Sequence, residues 1–424
     1  MTSNNNKQYL PALIIIGCLF FVFGFITWSN SQLIPYLKIA CELSDTQSYL
    51  VATAFFAAYF VMAIPSSLVL RKTGFKKGMS LGLLVMAIGA LLFVPAAQSR
   101  HFNLFLTGLF VIGSGLALLQ TAANPYATVL GPIESAAQRI SIMGICNKIA
   151  GIIAVYVLGA ITLSNADEIK AKLLLLKPVA KVQELDALAG RVILPYIIIA
   201  AALAVLALLI YFIHLPEINE EDQQAGDNEL SQDKTSILQF PHLLLGALAL
   251  FFYVGVEVIS YDTFTGFGEA LGYPLVEAKT FATYTGYGLL LGYVVGIIAI
   301  PRWISQQKAL SILTILSIVF VLIAMFSRGS IAVYSFAILG FTNSVVWPAL
   351  WPLAMNHLGR FTKMGAALLI MGIVGGAVLP PLYGKLSEYL GSRQMAYGMM
   401  IPCYLFILYF AWSGHRLGLK KVVQ

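Results

Sequence analysis

Apolar residues run along this chain in windows of about twenty, the length an α-helix needs to cross a bilayer. Twelve such windows can be placed, near 11–35, 48–70, 78–97, 104–128, 140–162, 192–214, 239–262, 280–301, 309–326, 331–353, 366–388 and 395–414. Polar residues between them are confined to short loops, with two exceptions. Residues 163–191 form a mixed-charge, amphipathic connection after the fifth window. Residues 215–238 are acidic and poor in apolar side chains, a linker that cannot bury a core. The pattern therefore predicts an all-α membrane protein of twelve transmembrane helices. Its expected organisation is an N-terminal six-helix bundle at 1–214, a cytoplasmic acidic linker at 215–238 and a C-terminal six-helix bundle at 239–424.

Weak internal similarity supports that division. Ile142-Met143-Gly144-Ile145 opens the fifth helix and Ile370-Met371-Gly372-Ile373 the eleventh, while Asn124-Pro125 in the fourth has a counterpart in Asn343 and Trp347-Pro348 of the tenth. The two bundles are thus expected to be pseudo-symmetric.

Composition narrows the class further. Only 11% of residues are charged and 59% are hydrophobic, against roughly 25% charged in soluble domains. The formal charge of +7 reflects Lys and Arg in short loops, which points to membrane topology and not to a nucleic-acid partner. Loops on the side of the N-terminus hold Lys7, Arg71, Lys72, Lys76, Lys77, Arg139, Arg302, Lys308, Arg360, Lys363, Arg416, Lys420 and Lys421. The opposite short loops hold Lys38, Arg100, Lys279, Arg328, Lys385 and Arg393. This excess predicts that both termini are cytoplasmic. The first window lacks a small-residue cleavage site and reads as a membrane helix, not a removed signal peptide. Cys18, Cys41, Cys146 and Cys403 have neither disulfide nor metal spacing. Gly113-Ser114-Gly115 lies inside an apolar helix, the wrong context for a phosphate loop. No zinc motif or nucleophile elbow is present either, so the chain does not read as an enzyme, and a monomer in a lipid bilayer is expected.

Candidate chemistry sits where polar side chains interrupt the apolar windows, because an unpaired polar group in hydrocarbon costs several kcal/mol. The stretch Gly113–Arg139 carries Gln120, then Asn124-Pro125, and ends in a polar loop with Glu134 and Arg139. Pro125 removes one backbone donor and frees the carbonyl of Thr121. Gln120, Asn124 and such carbonyls offer neutral hydrogen-bonding groups suited to an uncharged, polyhydroxylated ligand. The first helix carries Thr27-Trp28-Ser29-Asn30-Ser31-Gln32 before Pro35. These residues either face a cavity or end the helix among headgroups. In the fifth helix, Asn147-Lys148 interrupts an apolar run, and a lysine at depth costs about 2.5–3.5 kcal/mol on insertion scales, so it needs water or an acid partner. Glu257, after the long apolar approach of the seventh helix, is the expected partner. It could exchange a proton, supply the anionic oxygen of a sodium site, or form a permanent ion pair that fixes the two halves. Asp262 lies nearer the outer end and is expected to be solvated. In the tenth helix Asn343 and Trp347 share a face, and an indole can pack on a sugar ring. Trp351 fits an interfacial role. Gly144, Gly151, Gly372, Gly375 and Gly376 are packing residues that allow close helix approach.

With these residues in place, the chain resembles the major facilitator superfamily, whose members have paired six-helix repeats around a central loop. Within it, LLQTAANPYATVLGP, NSQLIP, the Asn147 region and YVGVE are similar to the fucose–galactose–glucose symporters. RISIMGICNK resembles the branch of glucose/galactose and N-acetylglucosamine permeases. The resemblance implies a major facilitator fold and import of a neutral monosaccharide (glucose, galactose or mannose type, or N-acetylglucosamine) by alternating access, coupled to a cation, in the bacterial inner membrane. Fucose–proton symporters carry an aspartate and a glutamate where this chain has Ser31 and Gln120. Coupling is therefore expected to rest on Glu257, with Lys148, Ser31 and Asp262 beside it. Sodium, with Glu257 as its ligand, is favoured over the proton. Asn30, Gln120, Asn124, Asn147, Asn343 and Trp347 are expected to hold the sugar. No resident cofactor is implied. The competing reading is a passive facilitator or sugar receptor locked by the Glu257–Lys148 pair.

Overall fold

The computed structural model describes residues 5–129, 136–213, 235–300, 302–356, 358 and 361–418, and all regular structure among them is helical. Twelve helices are long and apolar enough to cross a membrane. They are α1 (Ala12–Ala40), α2 (Asp45–Leu70), α3 (Lys72–Ser99), α4 (Phe102–Ala123), α5 (Ile142–Leu175), α6 (Pro178–Phe212), α7 (Pro241–Asp262), α8 (Leu275–Ala299), α9 (Gln306–Phe326), α10 (Gly329–Met355), α11 (Ala367–Leu390) and α12 (Arg393–Trp412). Each coincides with a predicted window. α5 and α6 run longer than predicted because the 163–191 connection is itself helical, as Ala166–Leu175 and Pro178–Gly190. Pro178 starts the second of these at a position where its missing N–H costs nothing. Most of the predicted acidic linker, through residue 234, lies outside the described residues.

Large apolar side chains such as Ile64, Leu68, Leu208, Phe212 and Leu291 are exposed on the outer surface. Lipid tails make this the low-energy arrangement for a membrane protein, where in water it would be a liability.

Local chemistry explains the interruptions. Gly74, at φ 73 and ψ 173, kinks the chain within the first turn of α3, a positive-φ conformation glycine enters without strain. In α1 the Ser29 hydroxyl donates to the Ile26 carbonyl at 2.6 Å and the Ser31 hydroxyl to the Trp28 carbonyl at 2.8 Å, and helical assignment lapses at residue 29. Such back-bonding competes with the backbone ladder and bends helices. α10 divides into Gly329–Asn343 and Val346–Met355. Pro348 has no N–H for the carbonyl of Ser344, which is where the helix gives way.

Within the first half α1 packs on α5, α2 and α3 on α4, and α3 on α6. Within the second half α7 packs on α11 and α12, α8 on α10, and α9 on α10 and α12. Two glycines set the closest approaches. A Cβ on Gly24 would lie 1.8 Å from the Asn147 carbonyl oxygen, and one on Gly375 would lie 1.8 Å from that of Phe251. Asn147 stands five residues after Ile142, and Gly375 five after Ile370. The repeated Ile-Met-Gly-Ile segments therefore bring the same register position of α5 and α11 against α1 and α7, with the small residue on opposite partners.

The halves are joined at the end remote from Asn5. Arg393 of α12 donates from Nε to Asp45 Oδ2 at 2.9 Å, from Nη2 to Asp45 Oδ1 at 2.6 Å and from Nη1 to the Gly266 carbonyl at 2.7 Å. Lys38 also pairs with Asp45. Around this clamp, Thr46 N–H donates to Glu388 Oε1, Gln32 Nε2 to the Lys279 carbonyl, and Leu275 and Val276 N–H to the carboxylate of Asp167.

Candidate functional site

α5 and α7 carry the charges that the apolar pattern isolated, and the fold brings them together. Lys148 Nζ lies 3.0 Å from Glu257 Oε1, joining α5 of the first half to α7 of the second. The residues are 6% and 8% exposed. A buried pair of this kind is held by mutual attraction against a large desolvation cost, so each partner depends on the other. The pair is enclosed by aromatic groups. Lys148 Nζ sits 4.0 Å from the ring centroid of Trp28, and Trp28 lies 4.2 Å from the ring of Tyr261, tilted by 42°. Tyr253 and Tyr261 flank Glu257 one helical turn away on either side, and the ring of Tyr293 of α8 lies against Gly144 of α5, one turn from Lys148.

Asn147 belongs to this centre. Its Oδ1 accepts from the Trp28 indole N–H at 3.1 Å and its Nδ2 donates to the Phe20 carbonyl at 3.4 Å, leaving the amide half-buried. Trp347 approaches from α10, with its ring 6.4 Å from Tyr253 and stacked on Trp351 at 5.5 Å. Gln120, also half-buried, donates to the Tyr59 hydroxyl at 3.1 Å on α4, which packs beside α5 and α1.

The remaining predicted residues lie elsewhere. Asn343 is fully buried within the second half, accepting from the Tyr404 hydroxyl at 3.0 Å and donating to Ser260 Oγ at 3.5 Å. Its bond to Ser260 leads on to the backbone carbonyl of Glu257, to which the Ser260 hydroxyl donates, and not to the ion pair itself. Asn30 is completely buried and neither side-chain amide atom has a hydrogen-bond partner. Ser31 spends its hydroxyl on its own helix. The solvated position expected for Asp262 is corrected: it is 2% exposed, and its Oδ1 has no partner. Helix packing at the remote end, where α7 meets the outer half of α1, closes water off. Asn124 lies in a helix, but its side chain, like that of Arg139, is outside the described residues, as is Glu134 entirely. Among the described residues no three His, Cys, Asp or Glu side chains gather, so a sodium ion at Glu257 would depend on neutral oxygens.

Two contributors escaped the sequence reading. Trp28 touches Asn147, Lys148 and Tyr261, and the tyrosines 253 and 261 stand one turn from Glu257 on either side. The tyrosine signal was legible as hydroxylated rings four residues before and after the buried acid. For Trp28, nothing in sequence distinguishes a junction from an interfacial indole.

Comparison with known proteins gives a consistent result. The family model of the Major Facilitator Superfamily matches residues 16–377. The chain is 34% identical to a glucose/galactose transporter of Brucella abortus biovar 1 (strain 9-941), over 98% of this chain and 96% of that protein. It is 29% identical to the L-fucose-proton symporter of Escherichia coli (strain K12), over 98% and 95% respectively. Among solved structures, FucP, a transporter of the same superfamily in the outward conformation, superposes with a TM-score of 0.74 at 29% identity, covering 95% of this chain and 98% of that one.

Proposed function

This chain belongs to the Major Facilitator Superfamily, and from that premise we propose that it imports a neutral monosaccharide of the glucose or galactose type across the bacterial inner membrane by cation symport. The named sugars of its relatives support the substrate class. The observation that carries the mechanism is the Lys148–Glu257 pair, which bridges the moving halves beside Asn147. With both termini cytoplasmic, as the loop charges favour, the Asp45–Arg393 clamp closes the outer side and this state delivers sugar inward.

In the empty carrier the pair is internally neutral, so the halves can reorient without a bare charge in the membrane. A proton on Glu257 removes the attraction that holds Lys148. The ammonium is then free to move, and the barrier between the two orientations changes with the occupancy of the site. Sodium would have to replace the ammonium and recruit several further oxygens. A proton needs no such shell, and the fucose relative is a proton symporter. We therefore favour the proton over the sodium ion that Ser31 and Gln120 suggested. Gln120, Asn147 and Trp347, all half-buried, offer the amides and indole face for the sugar. Asn343 contributes by holding Ser260 and the backbone of α7 in place.

The test is uptake into proteoliposomes of labelled D-glucose and D-galactose against imposed pH and sodium gradients. Accumulation driven by the pH gradient is expected, and Glu257→Gln should abolish accumulation while sparing counterflow exchange. Undiminished concentrative uptake in that variant would reject the coupling role. A buried ion pair is also what a passive facilitator would use as a structural lock. That second reading wins if sugar merely equilibrates and ignores both gradients.

A further inference from the structure

Asn147 and Lys148 are consecutive on α5, so their side chains leave the helix about 100° apart. One meets the Trp28 indole and the Phe20 carbonyl and the other the Glu257 carboxylate, so the two side chains do not touch each other's partners directly. Trp28 spans that gap. Its N–H donates to Asn147 Oδ1 at 3.1 Å, and its ring carries Lys148 Nζ at 4.0 Å. It leans on Tyr261, which stands one turn from Glu257. The indole is seated against α5: a Cβ on Gly151 would lie 2.6 Å from Trp28 Cδ1. Any side chain at 151 would push the ring from both contacts.

We propose that Trp28 is the positioning residue that links sugar binding to the protonation of the Lys148–Glu257 pair. The inference rests on the symport reading. A sugar hydroxyl that donates to Asn147 Oδ1 competes with the indole N–H for that acceptor. The ring then loses its anchor, the cation–π contact with Lys148 loosens, and the ammonium holds Glu257 less firmly against a proton. Thermodynamic reciprocity requires that a proton on Glu257 favour the sugar by the same factor. The titratable groups facing Glu257 are Lys148 from α5, Tyr253 and Tyr261 from its own helix, Tyr293 from α8 and Tyr404 from α12. Phenols ordinarily lose their proton near pH 10, so these tyrosines stay neutral across a series at lower pH.

The experiment uses the full chain in proteoliposomes and measures half-saturation by D-galactose and D-glucose in counterflow across a pH series. In the unsubstituted protein sugar affinity should change about tenfold over the series, within the usual range of coupling between two sites. Trp28→Phe keeps an aromatic ring but removes the N–H. Gly151→Ala displaces the indole without altering it and favours the helix. Both should flatten the pH dependence to within about twofold while counterflow persists. Retention of the full pH dependence in both variants overturns the proposal. Loss of counterflow in both also overturns it, because the indole would then be a packing element only. If the unsubstituted protein binds neither sugar, the transport reading itself fails, independently of how the variants behave.

Discussion

At the scale of single residues, the buried charges of this protein are tolerable only because each is already answered. Lys148 has a carboxylate at 3.0 Å and an indole face at 4.0 Å. Removing one partner of such a pair leaves the other charge stranded, at a cost of about 3–5 kcal/mol. Lys148→Met is therefore expected to lower the thermal midpoint of the purified protein at neutral pH. The double variant Lys148→Met/Glu257→Gln should recover most of that loss, because no uncompensated charge remains. Thermal denaturation of the four proteins of this cycle is the check, and equal destabilisation of the single and double variants would count against a stabilising pair. Asn343 makes a contrasting case. Its amide is fully buried, accepting from Tyr404 and donating to Ser260, which ties α10 to α12 and α7.

At the scale of elements, two glycine contacts set how the helices meet. Gly24 lets α1 rest on the backbone of Asn147, and Gly375 lets α11 rest on that of Phe251. The first contact brings Phe20 and Trp28 within reach of the Asn147 amide, so backbone proximity creates the hydrogen-bond geometry of the site. Gly24→Ala places a methyl group 1.8 Å from a carbonyl oxygen. Because that neighbour is backbone, α1 and α5 must separate. The expected result is sugar exchange reduced at least about tenfold, from misalignment of the site, with a lower thermal midpoint. Counterflow and thermal scans on the same preparation measure both. The breaks in α1 and α10 follow from local chemistry, from serine back-bonding at Ser29 and from Pro348.

At the scale of the whole molecule, one end is locked by a clamp that joins the halves. Asp45 receives a bidentate guanidinium from Arg393 and an ammonium from Lys38, while Arg393 also holds the Gly266 carbonyl. Hydrogen bonds to charged groups contribute about 1.5–3 kcal/mol each, so neutralising Asp45 should move the conformational equilibrium by at least about tenfold. Asp45→Asn is expected to populate a form open at that end. Spin labels at the exposed positions Ser99 and Tyr389, both at the clamp end, would read it as a longer distance distribution. An unchanged distribution would show that apolar contacts alone keep this end shut.

How much of this was legible in the chain depends on what kind of energy decided it. Twelve spans, their short loops, the helical register of the Ile-Met-Gly-Ile repeats and the pairing of Lys148 with Glu257 were all readable. Partition between lipid and water acts on each window separately, and two opposite charges stranded in apolar helices have few other partners. The contacts of Trp28, the burial of Asp262 and Asn30 and the enclosure of Asn343 were not readable. They depend on the rotation of each helix about its axis and on which neighbour it meets, and those follow from glycine contacts and interlocking side chains between segments far apart in sequence. Hydropathy along the chain therefore determined what lies in the membrane. Packing between the helices decided which of its polar groups meet.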